Sequence, residues 1–321
     1  MSDKFNKEPN FHNLTPNQKS QNDEFIAYRE LFVLLWRGKF WVSGITFIAV
    51  FISLMIALWL PNIYRSEALL VAESGNSSTL SSLASQYSGL ANLAGVSLPT
   101  SNDSNDKDIG IAKLRSRQFI TNFIEKHNIL PELMAEKYFD WSSGEVHLDA
   151  KVYDEENNIW TRKASAPFTS RPSPLESYEE FIEILSVSED RESGFISISI
   201  DHLSPIIAQQ WVSWLVNDLN TEMMLEKTSE TKQSIEFLTE QMNNTQIVEL
   251  KQVFSSLMEE QTKILMLANS RSEYLFKTID PAVIPELKAK PSRALILILG
   301  AFIGGLLSVL CIFILQHFKK L

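Results

Sequence analysis

The chain has 321 residues, 45% of them hydrophobic, and a formal net charge of −10. That balance disfavours nucleic acid as a partner, because no basic patch supplies the counterion release that drives such binding. A single cysteine, Cys311, excludes an internal disulfide framework.

The apolar content is concentrated at the two ends. Residues 1–24 are polar, rich in Asn, Lys and Gln, and read as disordered. In "FIAYRELFV" (25–33) apolar residues recur at helical spacing, which suggests a helix at the inner membrane face. Residues 41–60, "WVSGITFIAVFISLMIALWL", carry no charge, and neither do residues 294–315. Each run is long enough to cross roughly 30 Å of hydrocarbon as a helix. Trp36, Trp41 and Trp59 lie near the ends of the first run, where amphipathic rings favour the interface. A removable signal peptide is not expected, since the run is long and "IALWLPN" lacks a small-x-small cleavage site.

Arg29, Arg37 and Lys39 precede the first run, Lys319 and Lys320 follow the second, and Arg65, Lys288, Lys290 and Arg293 flank the middle. The charge rule acts on short flanks, whereas long domains translocate largely regardless of charge. The N-terminal flank therefore predicts a cytoplasmic tail (1–40), a span (41–60), an outer domain (61–293), a second span (294–315) and a cytoplasmic tail (316–321). In a bacterium the outer domain would be periplasmic.

Within the middle, "IYRSEALLVAE" (63–73) alternates as a strand does. Residues 74–107 have the composition of a flexible loop, with "GLANLAGVSL" a possible short helix. Asp108 is positioned to cap a helix presenting Ala112, Arg115, Phe119, Ile120, Phe123 and Ile124 on one face and stopping by Asn128. "EVHLDAKVYD" (145–154) reads as a strand, and Ser173 with Glu176 and Pro174 as a capping box opening a helix. "GFISISID" (194–201) is the clearest strand. Ser204-Pro205 opens a further helix, and neither Pro nor Gly interrupts the chain from Ile206 to Lys277.

Ile235, Leu238, Met242, Ile247, Leu250, Phe254, Leu257, Gln261, Ile264 and Ala268 step by threes and fours, with one five-residue step after Met242. The expectation is one helix over about 205–277, a rod of roughly 100 Å packed against neighbouring chains. A helical hairpin turning near Asn243-Asn244 is the alternative. The fold class expected is an α/β outer domain with a very long helix plus two transmembrane helices, helix-rich overall. Pro281, Pro285 and Pro291 then predict an extended, stiff segment that ends the rod and leads back to the bilayer. Lys288, Lys290 and Arg293 would stand at headgroup height. In the second run Gly300, Gly304 and Gly305 are small residues suited to helix packing, against Ala49, Ser53 and Ala57, another chain or a partner protein.

These features together resemble the Wzz-type O-antigen chain-length determinants, class 1 polysaccharide co-polymerases. The likeness is carried by "LPNIYRSEALL", "SGLANLAGVSL", "LRSRQFITNFIEKHNILPELMA", "SEDRESGFISISIDHLSPIIAQQWVSWLVNDLN", "DLNTEMM" and "IDPAVIPELKAKPSRALI". The resemblance implies a ring-like homo-oligomer in the bacterial inner membrane, with both termini cytoplasmic. It would set O-antigen length together with the O-antigen polymerase, acting on lipid-linked polysaccharide. Carried over, the family's Pro-rich motif falls on Pro281, Pro285 and Pro291, and its small-residue second span on Gly300, Gly304 and Gly305.

A catalytic reading finds no site. His12, His127, His147, His202 and His317 are scattered, without metal-ligand spacing. No G-x-x-x-x-G-K-[ST] loop or G-x-S-x-G elbow occurs. "NDSNDKD" (102–108) lacks the glycine and glutamate of a calcium loop and reads as a solvated linker. Residues 189–192 read as an exposed turn, and a structural role is expected for His202 rather than contact with sugar. No enzyme activity and no cofactor is expected. The alternative function is a membrane adaptor of a capsule or exopolysaccharide tyrosine-kinase system. Only residues 316–321 follow the second run, so the kinase would sit on a separate chain.

Overall fold

Ile196, Ile198 and Ile200 alternate with serines, and the period of two turns all three to one side of a strand, where each is fully buried. That strand belongs to a computed structural model that describes residues 39–72, 103–271 and 273–320. The expected disordered tail (1–24), inner-face helix (25–33) and small-residue helix (89–98) lie outside the described residues, as does most of the expected loop.

In chain order come α1 (Lys39–Trp59), β1 (Tyr64–Ala72), α2 (Asp103–Leu114), α3 (Arg117–His127) and α4 (Leu130–Met134). Two small hairpins follow, β2 (Glu136–Asp140) with β3 (Glu145–Leu148), and β4 (Tyr153–Asp154) with β5 (Ile159–Trp160). Then come α5 (Pro174–Ile184), β6 (Leu185–Glu189) and β7 (Phe195–His202). The chain ends with α6 (Pro205–Asn244), α7 (Val248–Ser270), β8 (Phe276–Asp280) and α8 (Arg293–Lys320). Two units result: Met1–Leu60 with Pro291–Leu321, and Pro61–Lys290.

The larger unit is built on a four-stranded antiparallel sheet in the order β6-β7-β1-β8. Ala68 and Leu70 of β1 join the three isoleucines of β7 in one core. The first half of α6 covers them with Trp211, Val212, Leu215 and Leu219, each at most 2% exposed. Phe123 of α3 and Phe181 of α5 complete the layer, their rings 5.5 Å apart. The helix starts follow local chemistry. Ser173 and Glu176 form the reciprocal capping box with Pro174 at the first turn, and Ser204 Oγ accepts from the Ile207 N–H.

Three boundaries differ from expectation. The helix expected from Asp108 starts at Asp103, so most of "NDSNDKD" is helical rather than linker, and Asp108 lies inside the helix. It breaks at Arg115, and Ser116 caps the next helix by accepting from the Phe119 N–H. The strand expected over 145–154 stops at Leu148, because Asp149 begins a turn whose carboxylate accepts from the Lys151 N–H.

The third difference is the largest. The expected 70-residue rod is two helices, with a break at residues 245–247. Asn243, Asn244 and Thr245 are weak helix formers in succession, and Thr245 closes the helix in an extended conformation without Gly or Pro. Thr239 Oγ1 meets Met258 Sδ at 3.4 Å, so α7 runs back along α6. The apolar stripe is therefore covered in part within the chain: Leu238 of α6 and Val253, Phe254 and Ala268 of α7 are buried, while Ile247 at the break is 54% exposed. Even so, α6 at 40 residues is about 60 Å long.

Candidate functional site

The return segment after β8 forms no helix, as three prolines in eleven residues require, and it bends at residues 286–287. Pro281 is exposed and Pro285 and Pro291 are half-buried. Up to Lys290 the segment is stitched to β1. Ser66 Oγ donates to the Val283 carbonyl at 2.8 Å, and Gln209 Nε2 of α6 donates to the Ala282 carbonyl. Ile63 and Lys290 form an antiparallel bridge, the Ile63 N–H donating to the Lys290 carbonyl at 3.0 Å. Lys288 Nζ donates to Asn62 Oδ1. Val283, Ile284 and Leu287 are left more than half exposed beside Lys288 and Lys290.

Asp201 of β7 fastens this end. Its carboxylate is bound bidentately by Arg65, its cross-strand partner on β1, at 2.6 and 2.8 Å, and by Lys290 Nζ at 2.8 Å. Burial pushes the Asp201 carboxyl up, but the hydrogen bonds and charges of Arg65 and Lys290 outweigh it and hold the group below the ordinary carboxylate range. A depressed folded value means the carboxylate's stabilising contribution is complete above the unfolded pKa of about 3.9 and is lost only as pH falls through the folded one. The latch is thus constant across neutral pH. Asp201→Asn is expected to cost about 1–3 kcal/mol at pH 7, discounted because both cations are partly solvated. The gap from the parent should close below about pH 4, which thermal unfolding at the two pH values would read.

In the smaller unit, α1 and α8 are long and apolar enough to cross a membrane, with windows Val42–Trp59 and Arg293–Ile312 at mean hydropathy 2.3 and 2.8. Only 11% and 17% of these windows is buried, unlike a soluble protein's core helices. The two helices pack together through small residues. A Cβ at Gly300 would stand 2.5 Å from Ser53 Cβ and Oγ, and one at Gly304 2.5 Å from Ala49 Cβ. Ser53 Oγ uses the close approach to donate to the Ile296 carbonyl at 2.7 Å. Gly305 differs from its neighbours, since a Cβ there would meet nothing within 4 Å among the described residues.

Other polar residues organise the larger unit without having been singled out in the sequence. Asn220 of α6 is 3% exposed; its Oδ1 accepts from the N–H groups of Leu275 and Phe276, and its Nδ2 donates to the Phe276 carbonyl. A polar residue on the stripe of Val216, Leu219 and Met223 was the available signal. Asp218 accepts from Lys126 Nζ at 2.6 Å and lies 2.8 Å from His127 Nε2, while the His127 ring stacks on Trp214. This clasp joins α3 to α6. His202 is 2% exposed, and its Nδ1 accepts from the Ser204 N–H, which leaves the proton on Nε2. That nitrogen sits 2.9 Å from Glu136 Oε2, close but not aligned as a hydrogen bond. Such burial suits a structural histidine. Among the described residues no cluster of three or more His, Cys, Asp or Glu is disposed to hold a metal ion.

Comparison with known proteins adds a family match. The family model described as "Wzz: Chain length determinant protein" matches residues 24–127, which include α1, β1, α2 and α3. No curated protein matches the sequence at a significant level. Among solved structures, the chain is similar to a full-length bacterial polysaccharide co-polymerase, at 11% identity and TM-score 0.38, over 90% of this chain and 97% of that one. It is also similar to a fragment of WzzB, a polysaccharide co-polymerase from Salmonella Typhimurium. There the identity is 13% and the TM-score 0.31, over 71% of this chain and 100% of the fragment.

Proposed function

Starting from the chain-length-determinant match over residues 24–127, we propose that this protein is a non-enzymatic, oligomeric inner-membrane scaffold that regulates O-antigen chain length together with the O-antigen polymerase. The observation that carries the topology is the Ile63–Lys290 bridge. It holds the third and last residues of the larger unit side by side, so the chain enters and leaves that unit at one place. A domain inserted between two spans needs that arrangement. With both termini cytoplasmic, residues 61–293 are periplasmic. The polypeptide assembles with copies of itself, and the growing lipid-linked polysaccharide and its polymerase meet the assembly at the membrane.

The return segment has the properties of a coupling element in this scheme. Its prolines remove backbone donors and resist helix formation, and the Asp201 latch ties it to two strands of the sheet. Its exposed apolar side chains and flanking lysines suit the membrane interface. Gel analysis of lipopolysaccharide from a deletion strain tests the proposal. The expected result is O-antigen of random length. Loss of all polymer, or altered capsule with unchanged O-antigen banding, would overturn it. Pro281→Ala, Pro285→Ala and Gly304→Leu are each expected to change the length distribution with the protein still inserted; unchanged banding from all three would remove the segment and the span contact from the mechanism.

A further inference from the structure

Trp141, in the turn between β2 and β3, is 59% exposed, yet its position is fixed. Asp140 Oδ1 accepts from the Ser142 N–H and hydroxyl, and the Gly144 N–H closes the turn on the Asp140 carbonyl at 2.8 Å. The Tyr64 and Phe139 rings pack edge-on against the indole at 5.6 and 5.2 Å, and the indole N–H donates to the Tyr64 hydroxyl at 3.3 Å. Tyr64 opens β1. Two residues on along the same face, Ser66 holds the Val283 carbonyl of the return segment. The turn and the return segment therefore converge at the end of the larger unit that the Ile63–Lys290 bridge marks as its entry and exit. Val283, Ile284 and Leu287, the last 84% exposed, stand in that segment beside Lys288 and Lys290, with Glu286 the one carboxylate between Pro281 and Arg293.

We propose that this end of the larger unit seats on the lipid headgroup layer of the bilayer that α1 and α8 span, with Trp141 as an anchor remote in sequence from either helix. Chain length selects lipid over another protein as the occupant. Tyr64 follows Trp59, the last residue of α1, by five residues, and Leu287 precedes Arg293, the first of α8, by six. At no more than about 3.6 Å per residue, the chain keeps Tyr64 within about 18 Å of one span and Leu287 within about 22 Å of the other. Two such short tethers present the bilayer surface to the patch at a high effective concentration. Headgroup layers favour indole, which has an apolar body and a polar N–H, and lysine stems let their ammonium groups reach phosphates. Leaving Leu287, Ile284 and Trp141 in water forfeits apolar burial that the acyl boundary supplies. The inference rests on the reading of α1 and α8 as spans and is independent of any role in polysaccharide length.

The full chain, with Cys311→Ser to leave a single labelling site, is spin-labelled after Trp141→Cys or Leu287→Cys and placed in vesicles of phosphatidylethanolamine and phosphatidylglycerol. Collision of the label with oxygen, which concentrates in lipid, is compared with collision with a water-soluble nickel chelate. Val248→Cys is the aqueous reference, exposed just past the break that ends α6 and about 60 Å of helix away from Pro205. The oxygen-to-nickel ratio at the first two positions is expected to exceed that of the reference several-fold. Ser142→Cys takes the place of Trp141→Cys if that variant does not fold. A ratio at the turn equal to the reference would overturn the anchor. Shielding of the turn from both reagents would overturn it too, as the mark of a second copy or another protein on the patch. Release of the labelled chain from the vesicles by alkaline carbonate would overturn the reading of the spans, and the proposal with it.

Discussion

Asn220→Leu is expected to destabilise the larger unit by about 2–4 kcal/mol and to loosen β8 from the sheet. The side chain is nearly isosteric with leucine, so the loss arises from hydrogen bonding rather than volume. Three backbone groups at the entry to β8 depend on it: the N–H groups of Leu275 and Phe276 and the Phe276 carbonyl. All three bonds are buried, so solvent cannot replace Asn220, and each unsatisfied group costs about 1–3 kcal/mol. Burial of the leucine methyl groups returns part of this. Hydrogen exchange at the Leu275 and Phe276 amides should accelerate in the variant together with a lower unfolding temperature. Unchanged protection at both amides would show that β8 is held by its ladder with β1 alone. Because β8 leads into the proline segment, this residue links the long helix to the stretch that precedes α8.

The second large effect is expected in the apolar helix pair. Gly304→Leu places side-chain atoms where Ala49 Cβ already stands 2.5 Å from a Cβ position, with Thr46 Cα at 3.3 Å. Relief requires the helices to separate, and overpacking of this kind costs about 1–3 kcal/mol. Packing is the main source of helix association in lipid, where no hydrophobic driving force between helices compensates. Gly305→Leu is the control, since its Cβ would meet open space; a change within about 0.5 kcal/mol is expected. Unfolding of both variants in mixed micelles reads the contrast. Equal destabilisation by the two would mean that backbone propensity, not contact with α1, sets the requirement for glycine.

The pH behaviour follows a similar division between local and distant partners. Asp190 holds the turn before β7 through its own neighbours, accepting from the Glu192 N–H and Ser193 Oγ, and these hold its carboxyl below the usual range. That turn was expected from the residues themselves. Asp201 shares the direction of shift, but its causes stand 136 residues away in sequence at Arg65 and 89 residues away at Lys290.

What the residues alone determined is whatever rests on neighbours within a turn or two: both apolar helices, the caps at Ser173 and Ser204, the alternation of Ile196, Ile198 and Ile200, and the absence of helix through the prolines. Helical periodicity, capping and strand alternation act over a few residues, so they are written in the local order of side chains. Tertiary structure alone decided the α6–α7 hairpin, the pairing of β8 with β1, the Asp201 latch, the Asn220 clasp and the difference between Gly304 and Gly305. Each depends on groups brought together from distant parts of the chain, and a stripe of apolar residues specifies that it must be buried without specifying against what. For α6 the stripe was as compatible with a neighbouring molecule as with its own return helix, and the weak run at residues 243–245 let the chain fold back on itself.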